Sequence, residues 1–314
     1  MKNVLITGAT GFIGNSLVIK LATFSEYKVR VAIRKKSENF PDSVEVLENF
    51  DISKKIDWTQ ALEKIDIIIH CAARVHIMKD LSKDPISNFR KVNTDGTLNL
   101  ASQAALLGVK RFIFLSSLGV NGEKTISDPF KADDTPNPHS PYTQSKMEAE
   151  IGLMEISKKN KMSVVIIRPP LVYGQNAPGN FGSLIRIVKK YIPLPLGAVK
   201  NKRSFVFLDN LIDMIICCLS HPNAINQVFL VSDDEDLSTA QLLKKIGKAL
   251  GTTIFLLPIP LLILKVSAKC IGKAKTAQQL LGSLQVDLEK TKSLLGWKPP
   301  FSVDDALRKM VNRK

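Results

Sequence analysis

The chain has 314 residues, ordinary apolar content, few aromatic residues and a formal net charge of +15 at pH 7. This length can bury a full core, as one large domain or as two interlocked ones. The charge comes from lysines spread along the chain, and it fits either an anionic small ligand or a solvated basic surface. Because we find no RNA-binding aromatic motif and no zinc-type spacing, we expect neither a nucleic-acid partner nor a metal.

The cysteines and the first residues of the chain indicate the cellular compartment. Cys71, Cys217, Cys218 and Cys270 show no metal-type pairing, and Cys217 and Cys218 adjoin each other within an apolar run. We therefore expect small core residues and reduced thiols in a cytoplasmic protein. The chain enters a strand soon after Met1, so we expect no signal peptide.

The first motif is a glycine-rich turn between a strand and a helix. Residues 4–7 form a short apolar strand, and Gly8, Gly11 and Gly14 follow it at the start of an amphipathic helix. Glycines at this spacing permit a tight turn, close approach of the backbone to a pyrophosphate, and close helix packing. The N–H groups and the positive dipole end of the helix attract phosphates. In this setting the motif predicts a dinucleotide-binding βαβ unit.

The end of the second predicted strand bears on the choice of cofactor. Residues 29–33 form this strand, and Arg34, Lys35 and Lys36 follow it. An enzyme that uses NAD usually has Asp or Glu there to bind the ribose 2′-hydroxyl, whereas a cation accommodates the 2′-phosphate of NADP. We therefore favour NADP(H), with NAD(H) possible. The alternative is a solvated basic turn.

Two more predicted strands bring polar and small residues to the same edge of the sheet. They span residues 44–47 and 66–70, and the second is so apolar that we expect it to be buried on both faces. Asp51 follows the first strand and would meet the adenine. The alanines at 72–73 follow the second and would let the backbone lie against the cofactor. His70 ends a buried strand, so we interpret it as structural.

Three polar residues form the candidate catalytic group. The strand at 111–115 delivers Ser117 at its carboxyl end, where ligands of open α/β sheets bind. Tyr142 and Lys146 lie four apart on a predicted helix and so share a face. A neighbouring ammonium favours the phenolate, and lowering the Tyr pKa from ~10 to ~7 takes about 4 kcal/mol. If Lys146 and an oriented cofactor supply this, the Tyr could exchange a proton with an alcohol oxygen.

The alternation of strands and helices breaks after residue 170. We predict a Rossmann-type, doubly wound parallel α/β sheet with a smaller C-terminal substrate-binding α/β domain. Residues 1–170, with about 205–230, would bind the dinucleotide, and 171–204 with 231–314 would bind substrate. The apolar run at 254–264 contains two prolines and is shorter than the ~20 residues of a membrane span. We expect it to be buried or to lie at an interface.

These motifs together resemble the extended short-chain dehydrogenase/reductase family, in its nucleotide-sugar epimerase and reductase branch. The resemblance covers nearly the whole chain. The landmarks are Thr7-Gly8-x-x-Gly11-x-x-Gly14, Asp51-Ile52, His70-Cys71-Ala72-Ala73, Asn93 in Val-Asn-x-x-Gly-Thr, Ser116-Ser117, Tyr142-x-x-x-Lys146 and Arg168-Pro169-x-x-Val172-Tyr173-Gly174. The finer pattern is similar to bacterial enzymes of surface-polysaccharide and O-antigen synthesis.

The resemblance implies a catalytic set and a cofactor set. Tyr142 would be the acid/base, Lys146 would hold the ribose hydroxyls and lower the Tyr pKa, and Ser117 would hydrogen-bond the reacting sugar oxygen. The expected cofactor contacts are Gly8, Gly11, Phe12, Ile13, Arg34, Lys35, Asp51, Ile52, Ala72, Ala73, Asn93, Tyr142, Lys146 and Pro169. Asn93 would also be a structural support.

The resemblance also implies substrate contacts and a partner. Besides Ser117 and Tyr142, Asn180 and Phe181 would meet the diphosphate of a UDP-sugar, and Arg203 would pair with it through its bidentate fork. The alternative for Arg203 is a surface cation. A homodimer through a four-helix interface is implied by analogy.

Two departures from family patterns discriminate between reactions. Nucleotide-sugar 4,6-dehydratases follow this Ser with Thr-Asp-Glu, whereas Ser117 is followed by Leu118-Gly119-Val120, which disfavours dehydration. The 4-epimerases usually place Asp at the end of the second strand and retain NAD, whereas this chain has Arg34 there. We therefore expect exchangeable NADP(H) and net redox chemistry.

Three functions follow. The first is NADPH-dependent reduction of a UDP-4-keto-6-deoxy-N-acetylhexosamine at C4, with Tyr142 as the acid. The second is a UDP-glucose or UDP-N-acetylglucosamine 4-epimerase that uses the same residues and a retained NAD. The third is a non-catalytic NADP-binding member of the fold.

Overall fold

The chain folds around a parallel sheet. A computed structural model describes residues 1–37, 40–75, 84–177, 180–270, 272 and 274–312. The elements are β1 (Lys2–Thr7), α1 (Phe12–Leu21), β2 (Tyr27–Ala32), β3 (Glu45–Leu47), α2 (Thr59–Leu62), β4 (Ile67–His70), α3 (Pro85–Arg90), α4 (Thr97–Leu106), β5 (Arg111–Leu115), α5 (Pro141–Lys159), β6 (Ser163–Arg168), β7 (Leu171–Tyr173), α6 (Asn180–Val188), β8 (Phe205–Phe207), α7 (Leu208–Ser220), β9 (Gln227–Leu230), α8 (Thr239–Ala249), α9 (Leu261–Cys270), α10 (Ala274–Leu281), α11 (Glu289–Leu295) and α12 (Val303–Asn312). A π-helical segment, Lys91–Gly96, joins α3 to α4.

The central sheet has seven strands in the order β3-β2-β1-β4-β5-β6-β9, and every adjacent pair is parallel. The strand order reverses between β1 and β4. In open α/β sheets the ligand lies in the crevice outside the carboxyl ends of the strands at such a point. The predicted fold class is confirmed. The sequence analysis did not anticipate β9.

Alternate residues of the strands pack into two cores, one on each face of the sheet. On one face, Val4 and Ile6 of β1 pack with residues of α1 and α7. On the other, Leu5 packs with residues of α4 and α5. Because both faces are covered, the strands read as nearly continuous apolar runs.

The region after β6 forms a third core. β7 and β8 pair in parallel as a separate two-stranded sheet, and their aromatic residues pack against α6, α8 and α12. The sequence analysis assigned residues 171–204 to substrate binding and predicted no helix there, yet α6 lies within them. Its inward residues Phe181 and Val188 are buried, a helical spacing that the surrounding glycines and prolines obscured.

The apolar run at 254–264 does not lie in a core. Ile254 and Leu256 pack partly against the third core, but Phe255, Leu262 and Ile263 are more than half exposed. The run is therefore not buried, and the alternative expectation, that it lies at an interface, stays a prediction. Short-range alternation turns every second residue outward, and α9 has no buried residue. Among the described residues, no helix is long and apolar enough to cross a membrane.

Candidate active site

The turn between β1 and α1 forms a tight backbone cradle. Gly8 has φ +71°, a conformation that favours glycine. A Cβ at Gly8 would lie 2.5 Å from the backbone nitrogen of Ala72, and one at Gly14 would lie 2.2 Å from the carbonyl oxygen of Gly8. Side chains therefore cannot fill this space without moving backbone. The cradle opens at the amino end of α1, which fits the pyrophosphate of a dinucleotide.

A cleft of about 500 Å³ continues from this cradle along the carboxyl ends of β1, β2 and β4. It is lined by predicted cofactor residues, namely Gly8, Gly11, Arg34, Asp51, Ile52, Ala72 and Ala73. Phe12 and Ile13 follow as the first residues of α1. Lys35 is exposed and does not line this cleft. The shape and the lining fit the adenosine half of a dinucleotide.

Asp51 and Arg34 lie at the rim of this cleft. The Asp51 carboxylate accepts hydrogen bonds from the Ser53 backbone nitrogen (3.0 Å) and hydroxyl (2.8 Å). The hydroxyl bond is the largest cause that holds the pKa of Asp51 below its usual value, and Arg34 contributes. The Arg34 side chain is exposed, so it can contact a 2′-phosphate without losing much hydration.

Ser117 and Tyr142 meet at the carboxyl edge of the sheet. The Ser117 hydroxyl accepts a hydrogen bond from Gly119 N at 3.2 Å, and the Leu118 backbone nitrogen donates to Pro169 O at 2.9 Å. Tyr142 lies in the first turn of α5, where Ser140 caps the helix through Thr143 in a capping box. This geometry brings the predicted hydroxyl pair together.

The pKa of Tyr142 differs from the sequence expectation. Burial raises it to about 12, and the hydrogen bond with Ser117 only partly opposes that rise. Lys146, which we expected to lower it, directs its ammonium to Leu115 O at 2.8 Å and over the Phe114 ring at 4.2 Å. In this structure Tyr142 is therefore a neutral hydrogen-bond donor at pH 7.

Lys146 is itself buried, with 1% of its surface exposed. Burial lowers its pKa to about 8, which Cys71 and Glu150 partly oppose. A buried ammonium held by a carbonyl and a ring face is costly to the fold. Its retention on the same helix face as Tyr142 is consistent with a role in the site.

Asn93 supports the site and does not line it. Its side chain accepts from Arg74 N (2.8 Å) and donates to Arg74 O (3.0 Å) and to the Ser145 hydroxyl (3.0 Å). It is fully buried in the π-helical segment, a local distortion that is common at functional sites. These bonds tie the segment to α5, which fits the expected structural support, and the contact of Asn93 with the cofactor stays a prediction.

A buried ionic network under the site escaped the sequence analysis. Arg168 binds the Glu150 carboxylate with two nitrogens, at 3.0 Å and 2.6 Å, and it also donates to Asn121 Oδ1 at 3.0 Å. The Ser116 hydroxyl donates to the same carboxylate. The available signal was Glu150, which lies four residues after Lys146 on the same face of a helix that packs on the sheet.

The predicted substrate-binding residues differ in where the structure places them. Asn180 is the first residue of α6, and its side chain lies outside the described part of the structure. Phe181 is 1% exposed and stacks on Tyr173 with ring centroids 4.8 Å apart. Its ring therefore packs in the third core, and the contact of this segment with a diphosphate stays a prediction.

Arg203 lies between two segments of the smaller region. It forms backbone bridges with Leu237 and Leu284, and its guanidinium donates to Gly282 O at 3.1 Å. Burial lowers its pKa. Since no carboxylate among the described residues pairs with it, this partly buried cation is suited to an anionic ligand.

His70 is buried in the interior of the sheet. Its ring bonds to the hydroxyls of Thr7 (2.6 Å) and Thr97 (2.9 Å) and stacks with Phe114. Burial lowers the pKa of His70 to about 3. The ring is therefore neutral at physiological pH, in keeping with a structural residue.

Comparison with known proteins identifies the family of this chain. Residues 4–232 match the NAD dependent epimerase/dehydratase family. The chain belongs to this family. A Vibrio cholerae relative described as "UDP-glucose 4-epimerase" is 45% identical over 309 residues, covering 98% of this chain and 94% of the relative.

Two further similar proteins are more distant. An Escherichia coli O157:H7 relative, "N-acetyl-alpha-D-glucosaminyl-diphospho-ditrans,octacis-undecaprenol 4-epimerase", is 28% identical and covers 97% of this chain and 93% of its own. The crystal structure of UDP-glucuronic acid 4-epimerase from Bacillus cereus in complex with NAD superposes with a TM-score of 0.78 at 23% identity, covering 99% of both chains. The predicted family and its NAD(P)-dependent enzymatic nature are confirmed.

Proposed function

We propose that the protein is a 4-epimerase of a UDP-hexose, either UDP-glucose or UDP-N-acetylglucosamine. The observation that carries this proposal is the 45% identity over nearly the full length with the Vibrio cholerae relative. The grouping of Ser117, Tyr142 and Lys146 at the edge of the sheet supports it. Epimerisation was our second hypothesis, and these findings favour it over the reductase that we placed first.

The mechanism assigns each side chain a role at sugar C4. A dinucleotide held by the cradle of Gly8 and Gly14 and by the cleft at Asp51 would supply reversible hydride transfer at C4. Tyr142 takes the proton of the 4-hydroxyl and gives it back to the new alcohol. Ser117 donates a hydrogen bond to the C4 oxygen, and Lys146 would hold the ribose hydroxyls of the dinucleotide. Because Lys146 is turned to Leu115 O in this structure, the phenolate form of Tyr142 that the first step needs would depend on the bound cofactor.

Arg203 is the proposed anchor of the substrate. Its guanidinium can form two parallel hydrogen bonds to diphosphate oxygens. The guanidinium is partly buried and has no carboxylate partner among the described residues. A bound diphosphate would therefore supply the negative charge that compensates for its desolvation.

The dinucleotide is the second part of the proposal. Residues 33–37, which follow β2, include no acid, and Arg34 is exposed at the rim of the cleft. This arrangement accommodates the 2′-phosphate of NADP and does not obstruct NAD. We therefore propose that both bind and that NADP binds more tightly.

Two other reactions are less well supported. Dehydration would need a carboxylate after Ser117, and Leu118 and Val120 are buried apolar residues there. The 4-keto reductase uses the same catalytic residues, and only the basic residues after β2 favour it. A non-catalytic role would leave the buried Lys146 beside Tyr142 without a purpose.

Assembly and compartment complete the proposal. Helices α4 and α5 pack side by side, and Ile151 of α5 is 57% exposed, which supports a homodimer through a four-helix interface. A cytoplasmic location is supported by four cysteines that form no disulfide. Light scattering of the Ile151→Glu variant tests the dimer, which we expect to dissociate.

The test of function compares three incubations of the purified protein. We expect UDP-glucose or UDP-N-acetylglucosamine to convert to its 4-epimer without added cofactor, and no consumption of NADPH with a UDP-4-keto-6-deoxyhexosamine. Tyr142→Phe should lower turnover by ~10²–10⁴-fold, as expected for the loss of a general acid. The matched control Tyr27→Phe should keep it. NADPH consumption without epimerisation would establish the reductase, and full activity of Tyr142→Phe would exclude both enzymes.

A further inference from the structure

The smaller region carries an exposed apolar surface, which we call the α9 face. It comprises Tyr191, Ile192, Phe255, Leu257, Leu262, Ile263 and Val266. Leu262 is 72% exposed, Tyr191 71% and Phe255 66%. Single exposed apolar residues are ordinary, but a contiguous group marks a surface that binds something.

Backbone hydrogen bonds join two of the segments that form the α9 face. Leu194 N donates to Phe255 O at 2.9 Å, and Leu257 N donates to Leu194 O at 2.8 Å. This pairing places the segment that follows α6, with Tyr191 and Ile192, beside the outward residues of 255–257. α9 begins four residues later, at Leu261.

α9 itself is only loosely attached. Leu264 and Ala268 are its partly covered residues, and none is buried. At 100° per residue, Leu262 and Val266 project from the opposite side. Lys265 and Lys269, both exposed, flank that side. The helix therefore presents apolar residues outward with a row of lysines beside them.

The two sequence segments that contribute the residues of the α9 face are basic. Residues 237–286 contain seven lysines and no Asp or Glu, and residues 174–208 contain six basic residues and no acid. At the end of α6, Lys189 and Lys190 are exposed. A second copy of this chain would bring like charges together, which is unfavourable.

We propose that the α9 face docks on the surface of an anionic phospholipid membrane. A helix that carries outward apolar residues beside lysines lies in the plane of the interface, with its apolar side at the headgroup boundary. Lysines add attraction to anionic headgroups. The proposal is independent of the reaction that the site performs.

Docking would bring the membrane close to the proposed substrate anchor. α10 follows α9 and ends next to Gly282, whose carbonyl oxygen accepts hydrogen bonds from Arg203 (3.1 Å) and from Asn201 (2.9 Å). The diphosphate end of the site thus adjoins the segment that continues from the docked helix.

The experiment is sedimentation of the full chain with vesicles. One preparation contains phosphatidylglycerol and phosphatidylethanolamine, and the other contains phosphatidylcholine alone. Leu262→Gln/Val266→Gln removes apolar area, and Lys265→Gln/Lys269→Gln removes charge. Ile126→Gln and Lys28→Gln are matched controls, because Ile126 is 90% exposed and Lys28 is exposed elsewhere on the chain.

We expect the protein to pellet with the anionic vesicles only, and to be released at high salt as charges are screened. The lysine pair should lower the partition coefficient by roughly fivefold per charge, and the apolar pair should lower it by about tenfold or more. Both controls should bind as wild type does.

Several outcomes would overturn the proposal. These are no binding to either vesicle, equal loss of binding in the control variants, or an oligomer that Leu262→Gln/Val266→Gln dissociates while vesicles bind nothing. In the last case the α9 face joins copies of the chain. Epimerase activity without vesicles should be unchanged in these variants, so the outcome does not depend on the proposed function.

Discussion

Replacing Lys146 by Met should make the protein more stable and nearly inactive. The ammonium is 1% exposed, and burial lowers its pKa from 10.5 to about 8. Holding the charge at pH 7 therefore costs about 3 kcal/mol of folding free energy. The variant also loses the 2.8 Å hydrogen bond to Leu115 O, which offsets about 1–2 kcal/mol of that gain.

The expected net stabilisation by Lys146→Met is about 1–2 kcal/mol at pH 7, measured by guanidinium denaturation. Turnover should fall by about 10²-fold or more, because the variant lacks the ammonium that we assign to the ribose hydroxyls of the dinucleotide beside Tyr142. Lys158→Met is the control on the same helix. Its ammonium is exposed and pairs with Glu155, so its stability should change by no more than about 0.5 kcal/mol.

The pH dependence of the free energy of unfolding tests this account of Lys146. A lowered Lys pKa means that the unfolded state binds more protons between pH 8 and 10.5, so wild-type stability rises with pH in that window. Relative to Lys146→Met, wild type should gain about 1 kcal/mol between pH 8 and 9. If the variant is less stable than wild type, or if that difference does not change with pH, our account of Lys146 is wrong.

Three further predictions concern other residues. Burial lowers the pKa of His70 to about 3, so the free energy of unfolding should fall by about 1.4 kcal/mol per pH unit on acidification below 6.5. Denaturation at pH 7 and pH 5 should show this fall in wild type and in the exposed-site control His139→Gln. The fall should be smaller in His70→Asn. Arg168→Met breaks a buried ion pair and should destabilise the protein by about 3–5 kcal/mol; adding Glu150→Leu should restore part of this in the same denaturation assay. Arg34→Ala should weaken NADP⁺ binding by roughly tenfold and leave NAD⁺ unchanged in calorimetric titrations, and equal losses for both would contradict its proposed role.

The dinucleotide half was predictable from sequence because its constraints are local. The glycines follow a strand at a fixed spacing, and the structure shows that Gly8 and Gly14 leave no room for a Cβ. The apolar strands β1, β4 and β5 read as buried since helices cover both faces of their sheet. Tyr142 and Lys146 share a face because α5 is a regular helix.

The remainder depends on contacts that the sequence does not display. The structure does not show the expected fall in the pKa of Tyr142, because Lys146 is turned to Leu115 O and burial raises that pKa. The pairing of Glu150 with Arg168 joins residues from a helix and a strand, and no spacing rule predicts such a pair. Phe181 was assigned to substrate by resemblance, but tertiary packing uses its ring in the third core. The exposure of α9 likewise follows from the absence of a covering element among the described residues, which hydropathy alone cannot show.

The most direct test of the proposed epimerase follows the reaction by proton NMR in D₂O without added cofactor. We predict that UDP-glucose or UDP-N-acetylglucosamine converts to its 4-epimer and that the product keeps protium at C4, because the same hydrogen leaves and returns. Absence of the epimer with both substrates, or deuterium at C4 of the product, would contradict the proposal.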